Sequence, residues 1–271
     1  MILRRLDDYQ GWQVIHGDAS ILIDPWLTDE PITGSFDRRS SPSAVTLEQV
    51  RSESVAVAAI ALCTAVSDHA RPATLAAMPE VPVLGPARAA RLARRSGSRH
   101  AEVMRPGTCR VFDAGAGSRL EVTATRTGLP LGLIAIGYLI QAVDSVGQCQ
   151  GRIWIEPHQP MVSIARSLAP IDLALLPMQS VTATVMPVTA SAERSLRAAQ
   201  AARAGSILAT ATEPERDMTA WQRRLYRVSA SGSQIAGGSG PVPPVLVLKA
   251  DERMLVRPDE SDRTSMALGE G

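Results

Sequence analysis

The sequence has almost no net charge: 28 Lys and Arg against 27 Asp and Glu leave a formal +1 at pH 7. A nucleic-acid-binding domain, or a protein held on an anionic bilayer by charge, carries a clear cationic excess, so neither class is indicated. Lysine is nearly absent, Lys249 being the single one. Such a preference for arginine over lysine follows genome composition rather than a binding surface. Cysteine is scarce as well. Cys63, Cys109 and Cys149 are odd in number and show no Cys-x-x-Cys spacing. That excludes a disulfide framework and a cysteine zinc knuckle, and points to small buried hydrophobes in a reducing compartment. No stretch approaches the roughly 18 consecutive apolar residues of a bilayer span. The opening residues, Met1-Ile2-Leu3-Arg4-Arg5-Leu6-Asp7, lack the uninterrupted apolar core of a secretory signal. A cytoplasmic protein without a transmembrane segment is expected.

Familiar catalytic templates are missing too. There is no Gly-x-x-x-x-Gly-Lys phosphate loop, no dinucleotide glycine fingerprint opening a helix and no Gly-x-Ser-x-Gly elbow. The glycine-rich stretch 232–240 has neither a lysine nor a following helix pattern. The four histidines, His16, His69, His100 and His158, are scattered, and their spacing pairs none of them with a serine or cysteine nucleophile.

What is present is an alternation of apolar runs and helical patterns over 271 residues, enough chain for a sizeable core. Strands are expected at 12–16, 20–23, 55–62, 81–84, 102–104, 110–112 and 120–125. A helix at 87–95 is closed by Gly97. The second half repeats the plan, with strands at 133–142, 153–155, 171–176 and 206–210. A helix over 190–204 is capped by Thr189 and stopped by Gly205, and a further helix lies around 217–227. Strands at 245–248 and 254–256 close the chain. Two such halves fit an α/β four-layer αββα sandwich, one domain over 1–257. The Ser, Gly and Pro content of 229–244 reads as a flexible loop, and the polar tail 258–271 as disordered.

The most informative stretch is Thr64-Ala65-Val66-Ser67-Asp68-His69, which sits at a strand-to-helix turn between the apolar run and a short helix over 71–78. Upstream, a hydrophobic strand ends in Asp24-Pro25-Trp26-Leu27. Downstream, Gly137-Tyr138-Leu139-Ile140 is followed by Arg152-Ile153-Trp154-Ile155-Glu156-Pro157-His158. Together these segments resemble the metallo-β-lactamase superfamily, in particular its lactonase-like branch, and are similar to little-characterised members found in photosynthetic organisms. The resemblance implies the αββα sandwich. In that family the turn reads His-x-His-x-Asp-His, which places the first histidine at Thr64, the second at Val66, the aspartate at Asp68 and the last histidine at His69. A third first-site histidine falls in the segment 122–128, which has none. The bridging aspartate falls at His158, and a final histidine falls near 209–212, also without one.

A catalytic zinc needs three protein ligands and an open position for water. Valine has no lone pair to offer and threonine is a poor ligand, so the resemblance implies that the first metal site is lost. Two readings stay open for the second. Asp68, His69 and His158 could hold one Zn or Fe ion and support a metal-dependent hydrolase. Alternatively no metal is bound: Asp68 caps the helix near Arg71, His69 bonds the facing strand end with Glu156 as acceptor, and the protein binds, scaffolds or assembles. Asp24 either orients a ligand or satisfies backbone N–H groups at its strand end. Trp26 and Trp154 either pack or line a pocket. In the second reading the edge that faces substrate in the family gains the apolar groups Leu129, Leu131, Leu133 and Met161, a rim for a protein partner or a second copy of the chain. The resemblance makes a photosynthetic complex one conceivable client.

Overall fold

The computed structural model describes residues 1–7, 9–29, 32–33, 38–39, 45–210, 226–228 and 243–258. Its strands are β1 (Ile2–Arg5), β2 (Trp12–His16), β3 (Ala19–Ile23), β4 (Ile32–Thr33), β5 (Arg38–Arg39), β6 (Ala56–Ala61), β7 (Val83–Gly85), β8 (Ala101–Val103), β9 (Cys109–Asp113), β10 (Arg119–Arg126), β11 (Ile136–Val143), β12 (Cys149–Ile155), β13 (Ile171–Pro177), β14 (Val181–Ala183), β15 (Met186–Pro187), β16 (Ala204–Thr210), β17 (Tyr226–Val228), β18 (Val245–Leu246) and β19 (Arg253–Leu255). The helices are α1 (Leu47–Ser52), α2 (Pro72–Ala77), α3 (Ala87–Arg95), α4 (Val162–Leu168) and α5 (Ala192–Ala201).

Two seven-stranded sheets carry the fold, in the orders β19-β1-β2-β3-β6-β7-β8 and β18-β16-β13-β12-β11-β10-β9. Each is antiparallel on one side and parallel on the other: β3, β6, β7 and β8 run parallel, as do β12, β13, β16 and β18. The period-2 rule explains why the central strands are apolar throughout. Ile21, Ile23, Ala59 and Ala61 point inward and meet Ile153, Ile155, Leu173 and Leu175 of the other sheet in the core between them. Their alternates Leu22, Ile60 and Leu62 point outward and are covered by α1, α2 and α3 through Val50, Leu75, Ala89 and Ala93. On the far side Trp154, Ala174, Leu176 and Ile207 are covered by α4 and α5 through Ala165, Leu196, Ala198 and Ala199. These are the four layers expected of the αββα sandwich.

Several local expectations are corrected. The last long helix is capped by Ser191, whose side chain accepts from the Arg194 N–H. Thr189 instead receives the Val181 N–H at 2.8 Å and donates to the Gln179 carbonyl at 2.7 Å, tying down the preceding hairpin. That helix ends at Ala201, and Arg203 takes the left-handed turn at φ 47° while Gly205 lies in β16. Residues 162–168 form a helix the apolar pattern did not suggest, because its buried side is little more than Ala165. Of the helix placed around 217–227, Arg227 is in strand β17, and 217–225 lie outside the described residues. So do 229–242 of the expected loop and 259–271 of the expected tail. Cys63 is buried as expected, whereas Cys109 is exposed on the edge strand β9 and Cys149 is half-buried. Trp26 and Trp154 are both buried packing residues, and the Arg71 guanidinium lies 4.3 Å from the Trp26 ring centroid.

One hydroxyl joins the two sheets directly. Tyr138 of β11 is fully buried and donates toward the Leu62 carbonyl at 2.9 Å and the Leu84 carbonyl at 3.3 Å, both beyond the facing core. A lost net hydrogen bond of this kind costs about 0.5–1.5 kcal/mol, and more where the carbonyl is left unsatisfied. Tyr138→Phe should therefore lower the melting temperature by roughly 2–6 °C for a chain of this size, with the fold intact. An unchanged melting curve would remove this bond from the account.

Asp7, after β1, is a buried acid serving the β1–β2 turn. Its Oδ1 accepts the N–H groups of Tyr9 at 2.8 Å and Gly11 at 2.9 Å, while Oδ2 has no hydrogen-bond partner among the described residues. Gly11 is required by this approach, since an added Cβ would stand 2.0 Å from Oδ2. Burial pushes the Asp7 carboxyl up to about 6 against the opposing turn N–H bonds. The folded chain then holds a proton that the unfolded chain has released, so stability falls as pH rises from about 4 to about 6. Thermal melts should show Asp7→Asn gaining on the wild type across that interval and keeping the gain above it. A gap independent of pH would contradict the raised acidity constant.

Candidate functional site

Polar side chains are delivered to one edge of the sandwich by four strand ends. Asp24 follows β3, Cys63 and Thr64 follow β6, Thr127 follows β10 and Glu156 follows β12. Asp24 is buried at φ 45°, a left-handed conformation that Asp tolerates better than most residues. Its Oδ1 accepts the Cys63 N–H at 2.7 Å, and its Oδ2 lies 2.7 Å from Nδ1 of His69. Because a carboxylate oxygen accepts, the imidazole donates from Nδ1. Asp24 thus fills both roles considered for it, satisfying a backbone N–H at the strand end and orienting the histidine.

His69 therefore does not use Glu156 as its acceptor. Nor is Asp68 the helix cap: the N-cap of α2 is Arg71, without a side-chain cap bond, and Pro72 opens the helix. A proline at the first position carries no N–H of its own, so the helix start has one unpaired donor fewer. Asp68 faces His158 closely enough to oppose the lowering of that imidazole's acidity constant. His158 is buried, and its ring stacks on His69 with centroids 4.7 Å apart and planes 29° apart. Burial, followed by the neighbouring His69, brings His158 down to about 3, so it is neutral at pH 7. Its Nδ1 has no hydrogen-bond partner among the described residues.

Glu156 is fully buried, and a single oxygen carries its bonds. Oε1 accepts the Thr127 hydroxyl at 2.8 Å, the His158 N–H at 3.0 Å and the Gln159 N–H at 3.1 Å. Burial outweighs these bonds and the Arg194 charge, pushing the carboxyl up to about 7. Oε2 has no hydrogen-bond partner among the described residues. It sits over Gly137, where an added Cβ would lie 3.0 Å from Oε2 and 2.7 Å from both Thr125 Oγ1 and the Ile155 carbonyl. Any side chain at 137 would displace this cluster. From α5, Arg194 donates to Gln159 Oε1 at 2.8 Å and to the Pro160 carbonyl at 3.1 Å, which fixes the segment after Glu156.

Thr64 and Val66 stand where the resemblance places two histidines. The Thr64 hydroxyl donates to the Ile134 carbonyl at 3.4 Å, and Val66 is 44% exposed. Among the described residues, no group of three or more His, Cys, Asp and Glu side chains is disposed to hold a metal ion. His16 lies at the opposite end of its strand from this edge, paired with Ala19, and His100 is exposed away from it.

Sequence reasoning missed Thr127, Gln159, Arg194 and Cys63. Thr127 was within sight, since it lies in the segment where a histidine was sought; Arg194 gave no local signal, because only the packing of α5 brings it here. Of the proposed rim, Leu129 and Leu133 are 70% and 81% exposed, and Met161 is half-buried. Leu131 is a correction: it begins the short 3-10 turn Leu131–Leu133 and tucks inward to 6% exposure, because the turn must anchor one of its three residues.

No protein-family model matches the sequence, and no curated protein matches it. Solved structures do. An isothiocyanate hydrolase from Delia radicum gut bacteria is similar over 95% of this chain and 99% of its own, at 17% identity and a TM-score of 0.64. A metallo hydrolase from the archaeon Ignicoccus hospitalis is similar over 93% and 97%, at 16% identity and 0.58. A diphosphatase of the PhnP family is similar over 95% and 99%, at 12% identity and 0.51. The chain has the metallo-β-lactamase fold shared by these metallo-hydrolases.

If Asp24 is the anchor of this edge, Asp24→Ala should cost about 2–5 kcal/mol, since it leaves a buried N–H and a buried imidazole without their acceptor. Asp24→Asn, which keeps Oδ1 and tolerates the left-handed backbone, should cost less, and Asp68→Ala less than Asp24→Ala. Urea denaturation would give the order. Asp68→Ala as the most damaging of the three would overturn it.

Proposed function

We propose that this chain uses the metallo-β-lactamase fold for binding rather than for metal-dependent hydrolysis, as a scaffolding or assembly protein. The observation that carries the reading is the state of Glu156. At the strand end where the family presents a metal-bridging carboxylate, this carboxyl is sealed from solvent, and its bonded oxygen is saturated by Thr127, His158 and Gln159. A group so held supports backbone rather than a reaction. Thr64 and Val66 supply a hydroxyl and methyl groups where the resemblance places imidazoles, and a hydroxyl is a weak ligand for zinc. What the edge offers instead is apolar surface: Leu129 and Leu133 project from it, with Met161 beside them. Contiguous apolar exposure marks interaction sites. A protein partner or a second copy of the chain is the occupant this favours, and the sequence resemblance names a photosynthetic complex as one client.

A second reading rests on the Asp24–His69–His158 arrangement. A carboxylate holding Nδ1 of a histidine is also how metal ligands are oriented, and a single Zn or Fe ion would take Asp68, His69 and His158. It would supply an activated water in a site of otherwise neutral groups. The folded positions of these side chains do not by themselves form such a set.

Metal analysis of untagged protein purified without chelator separates the two. The binding reading expects no stoichiometric zinc or iron and no hydrolysis of lactones, β-lactams or phosphodiesters, with a melting temperature indifferent to chelator. One ion per chain that is lost in His158→Ala would establish the second reading instead.

For the rim, the double substitution Leu129→Asp and Leu133→Asp should abolish co-purification or self-association while leaving the melting temperature within about 2 °C, because exposed positions contribute little to stability. Association unchanged by the pair would exclude this edge as the contact.

A further inference from the structure

The near-zero net charge conceals an uneven surface. Residues 81–101 contain five arginines, Arg88, Arg91, Arg94, Arg95 and Arg99, and no Asp or Glu. Most of them ride on α3, which buries Ala89, Ala90 and Ala93 against the outer face of the first sheet and exposes Arg88, Arg91, Arg94 and Arg95. Arg94 donates to the Ala101 carbonyl at 2.8 Å, and Arg99 pairs with Glu80 at 2.6 Å. Arg88, Arg91 and Arg95 have no hydrogen-bond or ion-pair partner among the described residues. Their spacing of three and then four residues sets them in one row about 10 Å long on a helix rising 1.5 Å per residue.

This row works against the helix that carries it. Arg88 and Arg91, Arg91 and Arg94, and Arg91 and Arg95 are like charges at helical neighbour spacing, each pair destabilising. Arg94 and Arg95 are favoured by the negative end of the helix dipole in the last turn. Arg88 stands in the first turn, where the dipole disfavours a cation and where no acidic residue offsets it. Among the described residues, no acidic side chain offsets the row formed by Arg88, Arg91 and Arg95.

We propose that the exposed face of α3 is a docking surface for the phosphate backbone of a nucleic-acid duplex, engaged by charge without reading sequence. A guanidinium matches a phosphate with a planar fork of donors, and a row of them matches a linear array of phosphates. The face has no aromatic or branched apolar residue to enter a bilayer: Leu92 is half-buried against the outer cluster, and the only exposed apolar residue is Ala87. It also lacks the Asn or Gln groups that read base edges, so affinity should be indifferent to sequence. The surface lies on the outer layer, and the proposal stands whether or not the Asp24–Glu156 edge binds metal.

The test is fluorescence anisotropy of the full chain with labelled duplexes of about 20 base pairs and unrelated sequences, titrated from about 50 mM salt upward. Both duplexes should bind alike, with log affinity falling against log salt at a slope near −3, three phosphate contacts contributing about −0.9 each. Replacing Arg88, Arg91 and Arg95 by Ala together should weaken binding about tenfold or more and flatten the slope, while replacing all three by Lys should preserve most of both. Arg91→Glu alone provides a second variant, expected to weaken binding severalfold, should the triple substitution disturb folding as judged by circular dichroism. The proposal is overturned by absence of duplex binding at the lowest salt, by equal binding of the alanine variant, or by capture on phosphatidylserine vesicles or by polyglutamate in preference to the duplex.

Discussion

Two carboxyl groups buried at the ends of parallel strands set the problem that this edge of the molecule solves. A carboxyl taken out of water must be hydrogen-bonded or neutralised, and Asp24 and Glu156 are both less than 2% exposed. Asp24 answers by bridging the Cys63 backbone and the His69 ring, which locks the turn after β6 against the end of β3. Glu156 answers by gathering Thr127 and the two N–H groups that follow it, and by an acidity pushed toward neutrality. Each carboxyl organises one sheet, and the stacked imidazoles of His69 and His158 join the two organised ends.

The chemistry of this edge follows from how those bonds are distributed. In a metallo-hydrolase, the strand-end ligands turn their lone pairs toward a common point, and outer groups hold them there. Here the orienting carboxylate of Asp24 is still in place beneath His69, while the positions at 64 and 66 carry a hydroxyl and a methyl side chain. His158 is held neutral by burial and Glu156 is enclosed. Leu129 and Leu133 stand exposed in the segment that follows Thr127. Away from that edge, four arginines of α3 face solvent on the outer layer.

Much of the architecture was legible because burial imposes periodicity. The run 55–62 had to be a strand covered on both faces, since every residue in its second half is apolar, and it became β6 with Ala59 and Ala61 facing one core and Ile60 and Leu62 the other. The helix over 87–95 was bounded to the residue, because Pro86 precedes it and Gly97 takes the left-handed conformation at φ 97°. Caps were read less well. Thr189 and Ser191 are both competent N-caps, and a hydroxyl two residues away is chemically the same; the hairpin 181–189, which only exists in three dimensions, recruited Thr189 and left the cap to Ser191. Asp68 was assigned to α2 for the same local reason, but the helix starts later, with Arg71 at the cap position and Pro72 opening it.

The residues at the strand ends were also nameable from the sequence: Asp24, Asp68, His69, Glu156 and His158 all arrive at one edge, because parallel strands of similar length end together. Their partners were not. Whether His69 meets Asp24 or Glu156, whether Leu131 points out or in, and whether Arg194 belongs to the site at all depend on how β3, β12 and α5 stack across two sheets. The His69–Asp24 and Arg194–Gln159 contacts join residues 45 and 35 positions apart. The sequence by itself determined which groups are polar and where along each strand they stand, since that follows from local periodicity. Only the tertiary structure decided which of them face each other, since pairing of distant groups is set by sheet order and register and leaves no trace in the spacing of neighbours.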